Sequence, residues 1–326
     1  MTEQVDELGL REVAGSCRQV LDRVGEAVVG KTEALELVLA GILAGGHVLL
    51  EDFPGLGKTL AARSFAQALG LDFRRVQFTP DLLPSDVTGG FVFDQRDGTF
   101  VFRRGPIFAG LLLADEINRT PPKTQAALLE SMQEHQVTVE GETFGLPEPF
   151  HVLATANPVE YEGTYPLPEA QLDRFMLRVG FGYPTPAQEW DVLQRRIARR
   201  QEDQTVAPVT DAKGLLAMQR TVETVTLEGS VGRYCVELAA ATRRDQQVLV
   251  GASPRGSLAL MLTARAYAVI HGRDYVVPED VKAVAQAALA HRITVRPELW
   301  MTEASGRAIV DDVLSQVPTP ATLERR

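Results

Sequence analysis

His47-Val48-Leu49-Leu50-Glu51-Asp52-Phe53-Pro54-Gly55-Leu56-Gly57-Lys58-Thr59-Leu60 is an apolar run closed by two acids, a turn holding two glycines, and the start of a helical pattern. His47 to Leu50 reads as a buried strand and Lys58 to Leu69 as a helix. Strand, glycine-containing loop and helix in that order form a phosphate cradle. Backbone amides and the helix N-terminus face the anion, Lys58 reaches the β/γ oxygens, and Thr59 offers a hydroxyl to Mg²⁺. The usual pattern asks for glycine where Asp52 stands. Aspartate is among the few residues that tolerate the left-handed region, so the tight turn is still expected, with Gly55 and Gly57 keeping the loop open.

Working outward, Arg75 to Phe78, Leu111 to Ala114 and His151 to Ala154 read as further strands, and Pro122 to Glu134 as a helix between them. Short apolar runs alternating with helices predict a parallel sheet wrapped on both faces. Two hairpins interrupt this core. Phe91 to Arg96 and Thr99 to Arg103 flank Asp97-Gly98, which as a two-residue turn sets Phe93 opposite Phe102 and Gln95 opposite Phe100. Phe91 then joins one aromatic face, expected to pack onto the core. The second hairpin, Gln136 to Val139 with Glu142 to Phe144, turns at Glu140-Gly141, a weaker signal because Glu suits that turn poorly. After Tyr183-Pro184 the strands stop, and helices are expected at about Pro186 to Arg200, Asp211 to Thr221, Val231 to Arg243, Arg255 to His271 and Pro278 to His291. The expected division is therefore an α/β domain over 1–182 and a helical domain over 183–326.

The composition agrees with a large folded core: 326 residues, 45% hydrophobic and 23% charged. Lys and Arg number 33 against 43 Asp and Glu, a formal charge of -10 that disfavours nucleic acid as a partner. Arg195-Arg196 with Arg199-Arg200 make two basic pairs on one helix, read as a solvated face. Cys17 and Cys235 are read as buried thiols in a reducing cytosol, and the five histidines show no ligand spacing. The longest apolar stretch, Leu37 to Leu50, is too short and broken to cross a bilayer, and the acidic N-terminus is unlike a signal peptide.

Leu111-Leu112-Leu113-Ala114-Asp115-Glu116 ends a buried strand in two acids. Two carboxylates at the C-terminal end of a parallel strand repel each other unless a cation or phosphate chemistry uses them. Asp115 suits a Mg²⁺ ligand and Glu116 a base for an attacking water.

With these motifs the chain resembles the AAA+ ATPases, and its MoxR branch specifically. The resemblance rests on Gly105 to Arg119 (Gly-Pro-Ile-Phe-Ala-Gly-Leu-Leu-Leu-Ala-Asp-Glu-Ile-Asn-Arg), Asp81 to Gly89, Ala154-Thr155-Ala156-Asn157-Pro158 and Leu167 to Phe175. It covers about Val28 to His291, and an acid at the first loop position is a familiar variant in the family. The fold implied is an α/β P-loop parallel sheet with flanking helices and β-hairpin inserts, followed by a small all-helical lid. ATP and Mg²⁺ are implied cofactors, cradled by Pro54, Gly55, Leu56, Gly57, Lys58, Thr59, Leu60 and Asp115. Asn157 matches the residue that hydrogen-bonds the attacking water. Arg174 matches the arginine finger that enters a neighbour's site, and Arg255 a second sensor reaching the nucleotide on its own chain. Val28-Val29-Gly30-Lys31 resembles the segment packed on adenine. The resemblance further implies a cytoplasmic ring, usually a hexamer, that remodels protein clients, often ones with a von Willebrand factor A domain. A metal-chelatase motor subunit and a nucleic-acid translocase are the alternatives.

Overall fold

The computed structural model describes residues 9–158, 163–201, 205–299 and 302–321. Two helices open the chain, α1 (Leu10–Ala27) and α2 (Thr32–Leu43), before β1 (Val48–Glu51), α3 (Lys58–Ala68) and β2 (Phe73–Gln77). The short α4 (Pro84–Thr88) leads into the hairpin β3 (Gly89–Asp94) and β4 (Thr99–Arg104). Then come β5 (Leu111–Asp115), α5 (Pro122–Glu134), the hairpin β6 (Gln136–Val139) and β7 (Glu142–Gly145), β8 (His151–Ala156), α6 (Glu169–Leu172) and β9 (Leu177–Val179). The rest is helical: α7 (Pro186–Arg199), α8 (Ala212–Thr224), α9 (Gly229–Arg244), α10 (Pro254–Ile270), α11 (Pro278–Leu289) and α12 (Gly306–Gln316), with β10 (Val248–Val250) and β11 (Thr294–Val295) as a small antiparallel ladder among them.

The five strands of the main sheet are parallel in the order β2-β5-β8-β1-β9, so the loop after β1 lies beside the C-terminal ends of β8 and β5. Period-two alternation sends neighbouring residues to different cores. Leu50, Leu111 and Leu113 join the cluster under α1, α2 and α3, which the helical segment completes through Leu260 and Val284. Leu49 and Leu112 join Phe78, Leu128 and Phe175 on the other face. The edge strand β9 escapes a reading by apolar runs because Arg178 interrupts it, neutralised by Glu51 at 3.1 Å.

Both hairpins form, with two departures. Glu140 adopts the left-handed region at φ 50 beside Gly141 at φ 87, so register overrides the poor local preference of Glu. In the first hairpin Asp94 pairs with Thr99, leaving a four-residue loop in which Arg96 N donates to Asp94 Oδ1 at 2.9 Å and Gly98 N to Asp94 O at 2.9 Å. The register is thereby two residues from the expected one: Phe93 faces Phe100, and Phe91 faces Phe102. A shift of two keeps the aromatic face intact. That face does not pack on the core along its whole length. Its inner end stacks Phe102 on Phe144 at 3.8 Å, tying the hairpins together, while Phe93 and Phe100 at the outer end are 51% and 69% exposed. Phe93→Ala should therefore lower unfolding free energy by only the worth of a cross-strand pair, ~0.2–1 kcal/mol, in urea titrations.

Three of the scattered histidines, His47, His135 and His151, converge behind β1. The His47 ring uses both nitrogens, donating to Met132 O at 3.1 Å and accepting from Val152 N at 3.0 Å. His151 does likewise with Gly46 O and Gln219 Nε2. Burial, with smaller repulsion among the histidines, lowers His47 to about 3 and His151 to about 4. An unfolded histidine titrates near 6.5, so between that pH and 4 the unfolded chain binds more protons and stability falls with acidification. Each buried ring contributes a slope of ~1.4 kcal/mol per pH unit inside that window. The melting temperature should thus drop steeply between pH 6.5 and 4.5, and a flat profile would contradict the neutral-histidine packing.

Candidate active site

The cleft is built at the C-terminal ends of β1, β5 and β8, where a parallel sheet leaves room for a ligand. Gly55 (φ 80) and Gly57 (φ 84) take the left-handed turns of the loop, and Lys58 opens α3 directly behind them. Asp52 behaves differently from expectation: it does not adopt a positive φ. Its buried carboxylate instead ties the loop to the chain after β9, accepting from Phe53 N at 2.8 Å, Phe181 N at 2.7 Å and Gly182 N. A glycine at this place would supply none of those acceptors.

A volume of about 440 Å³ is enclosed by the loop, with Pro54, Leu56, Lys58, Thr59 and Leu60, and by Asp115, Glu116 and Asn157 opposite. Lys58 Nζ donates to backbone carbonyls of Asp52, Phe53 and Ala156, closing the cradle on itself. Burial lowers the Lys58 pKa, opposed by Asp52, Asp115, Glu116 and Glu51, so four acids favour its charged form. Thr59 Oγ1 lies 3.3 Å from Asp115 Oδ2, and Thr155 Oγ1 donates to Asp115 Oδ1 at 2.6 Å. A hydroxyl and a carboxylate at this spacing are hard oxygen donors of the kind that hold Mg²⁺ together with nucleotide phosphates and water. These residues fit the ion.

Glu116 sits in the left-handed region at φ 58, held by Thr155 Oγ1, which accepts from its backbone N at 2.8 Å. Its carboxylate accepts from Gln77 Nε2 at 2.6 Å and pairs with Arg119 at 3.2 Å. Beside it, Arg75 bridges Asp115 at 2.8 Å and Gln77 at 2.8 Å. Arg75, Gln77 and Thr155 are site residues that motif reading does not reach. The signal available for the first two was polar residues at i and i+2 on β2, which project from the same side of a strand. Asn157 follows β8, is buried and lines the cleft, and its backbone carbonyl accepts from Asn118 Nδ2 at 3.1 Å. At the loop's other flank, Val28 reaches within 4.0 Å of where a Gly57 side chain would begin, Val29 is half-buried, and Gly30 (φ 72) lies beside Gln188 of α7.

The two arginines lie elsewhere. Arg174 and Arg255 line a separate depression with His47, Met132 and Leu258, at the N-terminal end of β1. Arg255, expected to reach the nucleotide on its own chain, lines this depression and not the loop cleft. Asp173 is engaged by Arg292 at 2.7 Å and by Ser253 Oγ, which donates to it at 3.2 Å. Buried Arg292 also donates to the carbonyls of Asp173, Phe175 and Met176, clamping the backbone on both sides of Arg174. Among the described residues neither Arg174 nor Arg255 forms an ion pair, so both guanidinium groups are free to meet an outside anion.

Comparison with known proteins agrees with this architecture. The family described as ATPase family associated with various cellular activities (AAA) matches residues 47–177, and the AAA lid domain matches 240–313. YeaC of Bacillus subtilis is 48% identical over 93% of this chain and 94% of its own. Chaperone MoxR1 of Mycobacterium tuberculosis is 40% identical over 96% of this chain and 84% of its own. A solved structure from Cytophaga hutchinsonii superposes with a TM-score of 0.88 at 41% identity, covering 96% of this chain and 97% of that one. Fold, nucleotide loop and relatives agree: the chain belongs to the MoxR family of AAA+ ATPases, an α/β nucleotide-binding core followed by a helical lid.

Proposed function

We propose that the chain hydrolyses Mg-ATP in a ring of identical subunits and spends the cycle on remodelling a protein client in the cytoplasm. The observation that carries this reading is a separation: groups for phosphate, metal and water gather in one cleft, while Arg174 and Arg255 sit unpaired on another surface. Lys58 would hold the β/γ phosphates, Thr59 and Asp115 the Mg²⁺, Glu116 would take the proton of the attacking water, and Asn157 would orient that water. The bound ion would neutralise phosphate charge. Arg174, with Arg255 beside it, would complete the site of the next subunit, most economically in a closed hexamer. The division at residues 182 and 183 separates the part that binds nucleotide from the lid.

A protein client, of the kind carrying a von Willebrand factor A domain, accords with the chaperone name of the MoxR1 relative and with the net charge of -10, which repels nucleic acid. A chelatase motor is the second reading, because the magnesium-chelatase 38 kDa subunit of Acidiphilium rubrum is 29% identical over 70% of this chain. Steady-state ATPase measured with candidate client protein, chelatase partner subunits or duplex DNA separates the readings. Stimulation by the client alone is expected, and Lys58→Ala should abolish ATP binding and stimulation together. Stimulation by DNA alone, or undiminished ATP affinity in Lys58→Ala, would overturn the proposal.

A further inference from the structure

Both oxygens of Asp115 are engaged within the cleft. The side chain is 10% exposed, and a carboxylate buried that far needs partners. Oδ1 accepts from Thr155 Oγ1 at 2.6 Å. Oδ2 is the oxygen turned to Thr59 Oγ1, at 3.3 Å, and it also accepts from two nitrogens of Arg75, Nε at 2.9 Å and Nη2 at 2.8 Å. A carboxylate oxygen offers about two lone-pair sites, so Arg75 and Thr59 together fill Oδ2. The sheet places the arginine for this contact. β2 is an edge strand paired in parallel with β5, and Gln77 stands level with Asp115. Arg75 precedes Gln77 by two residues and shares its side of the strand. Gln77 Nε2 is committed to Glu116 at 2.6 Å, which turns Oε1 of the same amide to Arg75 Nη2 at 2.8 Å. The guanidinium is thus aimed at Asp115, yet its side chain is 51% exposed and has room to swing outward.

We infer that Arg75 competes with the divalent ion for Asp115 Oδ2. It covers the carboxylate charge while nucleotide binds without metal, and it must let go before Thr59 and Asp115 can act together as ligands. Arg75 is therefore a positioning residue that sets how much the metal adds to nucleotide binding. The oxygen it holds is the one shared with Thr59, whereas Oδ1, on the Thr155 side, stays outside the contact. A guanidinium keeps its proton, so the exchange replaces one cation by another. With one partner half exposed the pair is weak enough to be given up, unlike a fully buried one.

The inference rests on Thr59 and Asp115 holding Mg²⁺, and its test is a binding measurement. Affinity for a fluorescent, non-hydrolysable ATP analogue is measured with EDTA and with saturating Mg²⁺, in the unaltered chain and in Arg75→Met, which keeps the alkyl stem and removes the donors. The factor by which Mg²⁺ tightens binding should grow by ~5-fold in Arg75→Met, the scale of an ion pair with one exposed partner. Affinity in EDTA should fall, because Asp115 then meets the phosphates with its charge uncovered. Arg75→Lys, which keeps the charge, should lie near the unaltered chain. Thermal melting in EDTA screens the variants, and Arg75→Gln serves if Arg75→Met does not fold. An unchanged Mg²⁺ factor with both affinities lowered alike would make Arg75 a support of the cleft, and a smaller factor would make it an aid to the metal. Either result overturns the competition, as does a lysine variant as altered as the methionine one. An unaltered chain that binds the analogue equally with EDTA and with Mg²⁺ would overturn the Mg-ATP reading, and this inference with it.

Discussion

Glu116→Gln is expected to bind ATP as the unaltered chain does and to lose turnover by about 10²–10⁴-fold, the usual worth of a general base. The substitution keeps shape and hydrogen-bonding reach and removes only basicity. Glu116 is placed for that role by the end of β5 and by its positive φ, and Gln77 at 2.6 Å and Arg119 at 3.2 Å hold its carboxylate to one side. A base held in this way must exchange those partners for water when the site is filled. Equilibrium titration and steady-state rates distinguish the outcomes, and unreduced turnover in Glu116→Gln would remove it from the chemistry.

Arg174→Ala is expected to leave ATP affinity intact and to lower kcat by ~10³-fold or more, the scale of arginine fingers. A guanidinium suits the task because it stays charged and donates in a fixed fork. The effect should fall on kcat because the interaction is made as charge develops on the transferred group. Arg174 is half-buried and forms no ion pair among the described residues, and Arg292 fixes the backbone on either side of it. A loss confined to KM would mean that Arg174 contributes binding alone.

Much of this site was legible because its chemistry lies in local order. A strand, two glycines and Lys58-Thr59 specify the cradle, and two acids at the end of Leu111 to Ala114 specify the partner strand, whatever the rest of the chain does. What escaped depends on tertiary contact. Asp52 looked like a tolerated substitute for glycine because its acceptors' partners, Phe181 and Gly182, are 129 and 130 residues away. Arg75 and Gln77 carry no motif and gain meaning only when β2 pairs with β5 and Gln77 comes level with Asp115. The first hairpin's face survived a wrong register because alternation depends on parity, whereas burial along that face depended on Phe144 from the second hairpin. That Arg255 shares the depression of Arg174 is not legible in the sequence, because distance from a motif says nothing about which end of a strand a lid helix meets.

The central claim, a site shared between subunits, is tested most directly by mixing Lys58→Ala with Arg174→Ala under Mg-ATP assembly conditions. Each variant alone lacks one half of every site. In the mixture, an intact Lys58 cleft can face an intact Arg174 on its neighbour, and hydrolysis is expected to rise clearly above the sum of the separate variants. Activity that stays at that sum in mixed, assembled rings would contradict the account.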